Sequence, residues 1–431
     1  MFDLKLKKVV AADPMAAWCF HTCFGELRPP RHRQKMEKNE MTLSVAFSTW
    51  NVGAAAGADV AAAAPGVDGW LKAGGSAPSD IHIVTLQEVV DINSALSYAS
   101  NPFASVSLDG LSDSMSAEAV RWEIALCAQL PAHRIVAKKQ LVGMVLFVFV
   151  LEVHLASCAS VRVASLGTGP LGAGNKGAVA ASLSLYGSAV AVVGSHLAAG
   201  SKGAHLHICS KHHARARHRT APSNACLTHT APRAGPSARN RDMATITASL
   251  AFPSGDAGGN AGTLPVSLAQ HEHVLWGGDL NYRIMRPDDE VRALASVGGD
   301  LSSLIAADEL RLSLASGDAW GGYAESALTF APTYKFDLHS DAYDTSAKRR
   351  APAWTDRILW RASSAVSPLA YTRHGMRESD HRPVSASFTL KLGGGSWAVA
   401  EPTTSNPCVA LVEWLRSCFR SKPPEGYMEL S

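Results

Sequence analysis

Short apolar runs that stop on a polar motif recur along this chain, and no other feature limits its fold as strongly. Leu43, Val45 and Phe47 alternate with Thr42, Ser44, Ala46 and Ser48 before Trp50-Asn51. That period of two belongs to a half-buried strand. Residues 81–86 (IHIVTL) end at Gln87-Glu88, residues 189–195 run into His196, and residues 273–276 lead to Gly277-Gly278-Asp279-Leu280-Asn281-Tyr282-Arg283. Further strands are expected over 141–151, 160–165, 178–186, 355–360 and 384–391, the last after Ser379-Asp380-His381-Arg382-Pro383. Helical spacing of apolar residues predicts helices over 117–130, closed by Pro131, and over 301–315. Strands that cluster, instead of alternating one for one with helices, give an α/β chain of antiparallel sheets covered by helices.

The 431 residues are 47% apolar, ample for a packed core, and a net charge of +3 does not by itself point to a polyanionic partner. The eight cysteines (19, 23, 127, 158, 209, 226, 408 and 418) show no CxxC spacing, and we read them as reduced, intracellular thiols. The longest apolar run, residues 141–151, is about half the length that crosses a bilayer, so no transmembrane segment is expected. Asp13 and Pro14 interrupt any secretory h-region, so a cytoplasmic protein with at most peripheral membrane contact is expected.

Three stretches fall outside the strand pattern. Residues 1–41 read as an N-terminal extension, and residues 393–431, opening on Gly-Gly-Gly-Ser, as linker and tail with a short amphipathic helix over 409–419. Between them a catalytic domain is expected over 42–392, carrying a low-complexity insertion at 201–238. That insertion holds six histidines and six Lys/Arg within a span that has no acidic residue between Glu152 and Asp242. Its composition predicts a solvated basic loop, dispensable for folding and drawn toward anionic membrane.

The polar motifs carry groups suited to phosphate esters, whose hydrolysis needs an activated water, a cation for the phosphoryl oxygens and donors for the growing charge. Glu88 is a carboxylate at a strand end, or an exposed glutamate opening a helix. Asp279 and Asn281 share a face if the strand continues, and belong to an Asp/Asn β-turn after Gly277-Gly278 if it does not. Asp380-His381 and His196 offer acid and imidazole, or a satisfied turn and a core histidine. Asp356 is a further carboxylate able to orient an imidazole. Lys335, Lys348 and Lys176 are candidate phosphate ligands that are individually indistinguishable from solvated lysines.

In their order along the chain, these motifs resemble the inositol polyphosphate 5-phosphatases of type II and the synaptojanin phosphatase domain, within the endonuclease/exonuclease/phosphatase superfamily. The resemblance covers about residues 42–391. Its most specific parts are Pro332-Thr333-Tyr334-Lys335-Phe336-Asp337 and the run from Asp344 through Lys348 to Pro352-Ala353-Trp354-Thr355-Asp356-Arg357-Ile358-Leu359-Trp360. It implies a DNase I-like four-layer sandwich, two mainly antiparallel β-sheets flanked by helices. It implies Mg²⁺ held at Glu88 and Asn51, Asp279 activating water, and Asn281 and His196 on the scissile 5-phosphate. Asp380 and His381 then complete the pocket, with Asp356 behind the histidine. Tyr334, Lys335 and Lys348 match contacts to a 4-phosphate, Asn175 and Lys176 those near a 1-phosphate, and Arg283 belongs to the substrate-binding set.

Two departures accompany the resemblance. The glycine turn Gly167 to Asn175 is one residue shorter than usual, with Pro170 at an aliphatic place, and the element Arg239-Asn240-Arg241-Asp242 is displaced from His196 by the insertion. The expected substrate is a phosphoinositide or soluble inositol polyphosphate, and nucleic acid is not expected. A nuclease or sphingomyelinase of the same superfamily would share the acid and imidazole core but not Tyr334-Lys335 with Lys348. A non-catalytic phosphoinositide-binding module would not need every catalytic side chain, and all are present.

Overall fold

In the computed structural model, described for residues 41–53, 60–75, 77–90, 115–200, 237–253, 265–295 and 301–393, two six-stranded sheets pack face to face. In chain order the elements are β1 (Met41–Asn51), α1 (Val60–Lys72), β2 (Ile81–Gln87), α2 (Ala117–Gln129), β3 (His133–Leu141), β4 (Met144–Leu151), β5 (Cys158–Gly167), β6 (Gly177–Leu185) and β7 (Ser188–His196). Then come α3 (Ala238–Ser249), the short pair β8 (Ala251–Phe252) and β9 (Val266–Ser267), β10 (His273–Asp279), α4 (Asp288–Ala295), α5 (Leu301–Ala306) and α6 (Glu309–Ser316). The chain closes with β11 (Tyr323–Glu325), β12 (Asp356–Arg361), β13 (Val366–Arg373) and β14 (Val384–Leu392).

One sheet has the order β13-β14-β1-β2-β4-β3 and the other β11-β12-β10-β7-β6-β5. Pairing is antiparallel throughout both sheets except for β1 with β2 and β7 with β10. These two parallel pairs place the site. Strands running side by side end together, so Asn51 finishes opposite Gln87 and His196 opposite Asp279. Strand alternation turns Val45, Phe47, Ile83, Val179, Val192 and Leu275 inward to the core between the sheets. On the outer faces, Trp50, Val84 and Phe147 pack with α1 and α2, while Val193, Val274 and Trp276 pack with α3. The result is the four-layer α/β sandwich.

Several expectations need correction. Residues 141–151 are not one strand: Leu141 ends β3, Val142-Gly143 turn, and β4 starts at Met144, with Val142 at φ +51°. Residues 301–315 hold two helices, because Asp308 leaves the helix to cap α6, accepting from the Arg311 amide at 3.0 Å. Strand β13 was hidden by Pro368, which sits on an edge strand beside a register shift, where a missing N–H is tolerated. Met41 already pairs with Leu392, so the extension is one residue shorter than expected. Ser237 caps α3 by accepting from the Asn240 amide and Ala238 is helical, so these two residues leave the insertion. Apart from Gly393, whose amide donates to the Ser188 hydroxyl at 3.0 Å, the remaining residues assigned to the extension, insertion and tail, the helix over 409–419 and six of the cysteines lie outside the described residues. Cys127 and Cys158 are free thiols. Among the described residues no helix is long and apolar enough to cross a membrane.

Candidate active site

The strand ends converge on Asp279, which closes the buried strand β10. Reaching this point requires Gly278, at φ +142°, where a Cβ would lie 2.0 Å from the Ser195 carbonyl of β7. Two donors hold the Asp279 carboxylate, Asn51 Nδ2 at 2.9 Å from the opposite sheet and the Asn281 amide at 3.0 Å, and His196 Nε2 lies 3.1 Å from it. Burial alone would raise its pKa, but His196, His381 and Lys176 outweigh that and keep it well below the usual carboxylate range. Asp279 is therefore ionised at any physiological pH.

Asn281 does not share a strand face with Asp279. The strand has ended, Asn281 sits at φ +57°, and its amide closes an Asx-type turn on Asp279 Oδ1. The turn still delivers the amide to the site: Nδ2 donates to the Leu197 carbonyl at 3.1 Å, and Oδ1 accepts from Arg283 at 2.7 Å. Arg283 in turn stacks over the Tyr334 ring at 4.9 Å, a cation–π contact.

Glu88 stands one residue past β2 at φ +54°, strained for a residue with a Cβ. Its neighbour Gly143 makes room, since a Cβ there would lie 3.3 Å from the Glu88 Cα. The Glu88 side chain is 34% exposed, and among the described residues the only basic group within 4.0 Å is His196, at 3.8 Å. Asn51 Oδ1 accepts from the Gly53 amide. A half-buried carboxylate one residue past the Asn51–Gln87 pair, together with the Asn51 amide oxygen, offers the hard oxygen donors that a Mg²⁺-like or Ca²⁺-like ion takes.

The imidazole of His381 is buried above a second carboxylate. Asp356 opens β12 in register with Asp279, and its Oδ2 accepts from Thr333 at 2.7 Å, Thr355 at 2.9 Å and His381 Nδ1 at 3.0 Å. Burial disfavours the imidazolium, but Asp356, Asp279 and Asp380 override it and push the His381 pKa to about 10. Asp279, Asp356 and His381 offer ligand atoms within 4.8 Å of one another. Trp50 Nε1 donates to the His381 carbonyl at 3.0 Å, fixing the loop from the β1 side.

Beside His381 lie two of the candidate 4-phosphate ligands. The Tyr334 ring packs on the His381 ring at 4.6 Å between centroids, and Lys335 pairs with Asp380 at 2.6 Å. That carboxylate raises the Lys335 pKa despite the opposing effect of burial. Lys348 is exposed on the loop after Asp344, whose side chain accepts from the amides of Ser346 and Arg350 and whose amide bonds the Lys335 carbonyl. The glycine turn accommodates Pro170 as the first residue of a single 3₁₀ turn. After it, Asn175 Oδ1 is buried without a hydrogen-bond partner, and Lys176 reaches inward so that its Nζ contacts His196 Nε2. Burial lowers the Lys176 pKa, opposed by Asp279 and Glu88. Lys176, expected near a 1-phosphate, thus stands beside His196.

Sequence reasoning missed the hydroxyls of Thr333, Thr355 and Ser379. The Ser379 hydroxyl donates to the Asn51 carbonyl at 2.7 Å and accepts from the His381 amide at 3.2 Å. Their only signal was adjacency to Tyr334, Asp356 and Asp380. It also missed the buried network Asn240–Tyr282–Trp320, in which the Tyr282 hydroxyl donates to Asn240 Oδ1 at 2.7 Å and accepts from Trp320 at 2.9 Å.

Residues 48–387 match the family model described as Endonuclease/Exonuclease/phosphatase family 2. Synaptojanin of Caenorhabditis elegans is 33% identical over 360 residues, 82% of this chain and 26% of that protein. Type I inositol polyphosphate 5-phosphatase 5 of Arabidopsis thaliana is 34% identical over 268 residues, 61% of this chain and 44% of that protein. The chain therefore spans less than half the length of these two relatives. Among solved structures, the inositol polyphosphate 5-phosphatase domain of SPsynaptojanin, crystallised with inositol (1,4)-bisphosphate and a calcium ion, superposes with a TM-score of 0.62 at 26% identity, covering 88% of this chain and 91% of that one. A Cimex nitrophorin superposes at 0.53 with 18% identity, covering 81% of this chain and 99% of that one, and shares the fold alone. With its sheet order, its convergent strand ends and a match running from β1 to β14, the chain belongs to endonuclease/exonuclease/phosphatase family 2, with inositol polyphosphate 5-phosphatases among its relatives.

Proposed function

We propose that this protein hydrolyses the 5-phosphate of a 4,5-bisphosphorylated inositol, lipid-borne or soluble, with Mg²⁺ as its cation. The observation that carries this reading is the adjacency of Tyr334-Lys335 to Asp380-His381. A ring on His381 and an ammonium on Asp380 set a second phosphate-binding position beside the hydrolytic one, as vicinal phosphates on one ring require. A nuclease needs no such second position. Phosphoinositide signalling at a cytoplasmic, anionic membrane surface is the setting this substrate implies.

In the reaction, water attacks phosphorus opposite the 5-oxygen. Asp279, held ionised, orients that water and takes its proton as the new P–O bond forms. The bond from phosphorus to the inositol oxygen breaks, solvent water supplies the proton with which the inositol leaves as its alcohol, Asp279 returns its proton to solvent, and orthophosphate is released. Asn281, His196 and the His381 imidazolium face the charge that gathers on the phosphoryl oxygens, and Lys176 adds an ammonium at His196. When bound at Glu88 and Asn51, a divalent cation supplies Lewis-acid neutralisation of those oxygens. Lys335, Tyr334 and Lys348 grip the 4-phosphate, Arg283 supports Tyr334, and Asn175 lends its amide N–H donors to the remaining substrate groups.

The purified chain is offered inositol 1,4,5-trisphosphate, short-chain phosphatidylinositol 4,5-bisphosphate and a 5-monophosphate, with product position read by chromatography. The reading requires the 5-phosphate to leave and the 4-phosphate to stay. Release of the 4-phosphate, or cleavage of a nucleic acid backbone in preference to all three, contradicts it.

A further inference from the structure

Helix α3 contributes nothing to the reacting groups, yet its first turn grips the loops that carry two of them. Asp242 accepts from the Ala198 amide at 2.8 Å, two residues past His196. Arg239, only 4% exposed, donates from Nη1 to the carbonyls of Ala198 at 3.3 Å and Gly200 at 2.8 Å. The rest of its guanidinium pairs with Glu309, Nε to Oε2 at 3.0 Å, and the same Oε2 accepts from the Arg283 amide at 3.1 Å. Asn240 lies between them and accepts from the Tyr282 hydroxyl. Apart from the Arg239–Glu309 pair itself, each of these bonds lands within four residues of His196 or two of Asn281.

The need for such a grip follows from the topology. His196 is the last residue of β7, so residues 197–200 have left the ladder that fixes the strand. Leu197 is still held, its amide on the Asp279 carbonyl at 3.0 Å and its own carbonyl on Asn281 Nδ2. Ala198 and Gly200 have their bonds from α3 instead, and the segment 201–236 follows directly. Amide bonds to a carboxylate and carbonyl bonds from a guanidinium are charge-assisted and geometrically specific. Reactive groups must be held to about 0.5 Å, and a 1 Å displacement costs about 10²-fold in rate.

We propose that Asp242 and Arg239 are positioning residues for His196 and Asn281, closing the chain across Gly200 and Arg239 so that the intervening segment cannot shift the strand end. The kinetic part of this proposal rests on the phosphatase reading above; the structural part does not.

Amide hydrogen exchange over residues 197–200 and steady-state turnover of inositol 1,4,5-trisphosphate are measured in the full chain for wild type, Asp242→Ala, Asp242→Asn and Arg239→Gln. Asp242→Ala and Arg239→Gln should speed exchange across 197–200 by about 10-fold or more and lower kcat by about 10- to 100-fold, with KM within about 3-fold of wild type. Asp242→Asn keeps an acceptor oxygen and should return both readouts to within about 3-fold of wild type. Unchanged exchange at Ala198 with wild-type kcat overturns the proposal, as does an Asn variant no better than Ala. Should Asp242→Ala fail to fold, Arg239→Gln and Asp242→Asn decide the same question. If the wild type releases no phosphate, the phosphatase reading falls and the exchange comparison alone judges the tether.

Discussion

His381 Nδ1 lies 3.0 Å from Asp356 Oδ2, with both side chains buried and the same oxygen also bonded by Thr333 and Thr355. This contact, with the charges of Asp279 and Asp380, outweighs burial and keeps His381 an imidazolium up to about pH 10. Replacing Asp356 by Asn should move the His381 titration, followed by NMR, down toward the ordinary histidine value and lower kcat by about 10²- to 10⁴-fold. The sign for stability follows from the folded pKa lying above the unfolded value of 6.5. Stabilisation from the pair is complete below about pH 6.5 and disappears as pH rises through about 10. A variant whose His381 still titrates near 10 would show that Asp356 is not the partner that matters.

The ion pair of Lys335 with Asp380 predicts a selective loss. On the proposed reading Lys335→Ala removes a charge-assisted bond to the 4-phosphate worth roughly 1.5–3 kcal/mol, so kcat/KM on a 4,5-bisphosphorylated substrate should fall by about 10- to 100-fold. On a 5-monophosphate the fall should be much smaller. Equal losses on both substrates would remove Lys335 from the 4-phosphate site.

Arg357 follows Asp356 and is 0% exposed, with Nη1 on Asp308 at 2.9 Å and Nε on Glu325 at 2.6 Å. Arg357→Met leaves two buried carboxylates without their cation and should cost about 3–5 kcal/mol in urea unfolding. Converting the carboxylates as well, in Arg357→Met with Asp308→Asn and Glu325→Gln, should recover part of that loss. A single variant within about 1 kcal/mol of wild type would mean the carboxylates are neutral or hydrated.

His82 is buried on β2, and burial, aided by the neighbouring His133 and opposed by the backbone of Leu71 and Ser79, pushes its pKa down to about 3. Here the folded value lies below the unfolded 6.5, so the unfolded chain takes up the proton first as pH falls. Stability should drop by about 1.4 kcal/mol per pH unit from this group between about pH 6.5 and 3. Urea midpoints at pH 7, 6 and 5 should show a shallower acid slope in His82→Gln than in wild type. An identical slope would assign acid sensitivity to other groups, His374 among them, whose pKa burial lowers to about 4.

Much of the fold and site could be read from sequence because strand periodicity is local and each motif abuts a strand. The alternation over 42–48 and the run 81–86 place Asn51 and Glu88 at strand ends, and the structure puts both there. What sequence did not carry was decided by distant partners. Asn281 leaves the strand because its amide closes on the Asp279 side chain. The 301–315 helix breaks because Asp308 faces Arg357, forty-nine residues away. The inward reach of Lys176 depends on β6 pairing with β7, which sets Gly177 opposite His196. Helix α3 showed weak amphipathic periodicity, and its purpose appears only in the loops it holds.

In the proposed reaction Asp279, with a divalent cation at Glu88 and Asn51, drives direct attack of water on a 5-phosphate. Phosphate release from a 4,5-bisphosphorylated inositol is followed for wild type and Asp279→Asn with Mg²⁺ and with EDTA. The expected result is one orthophosphate per substrate in wild type with Mg²⁺, none with EDTA, and a loss on the order of 10³-fold or more in Asp279→Asn. Turnover near wild type in Asp279→Asn, or full activity in EDTA, would contradict the account.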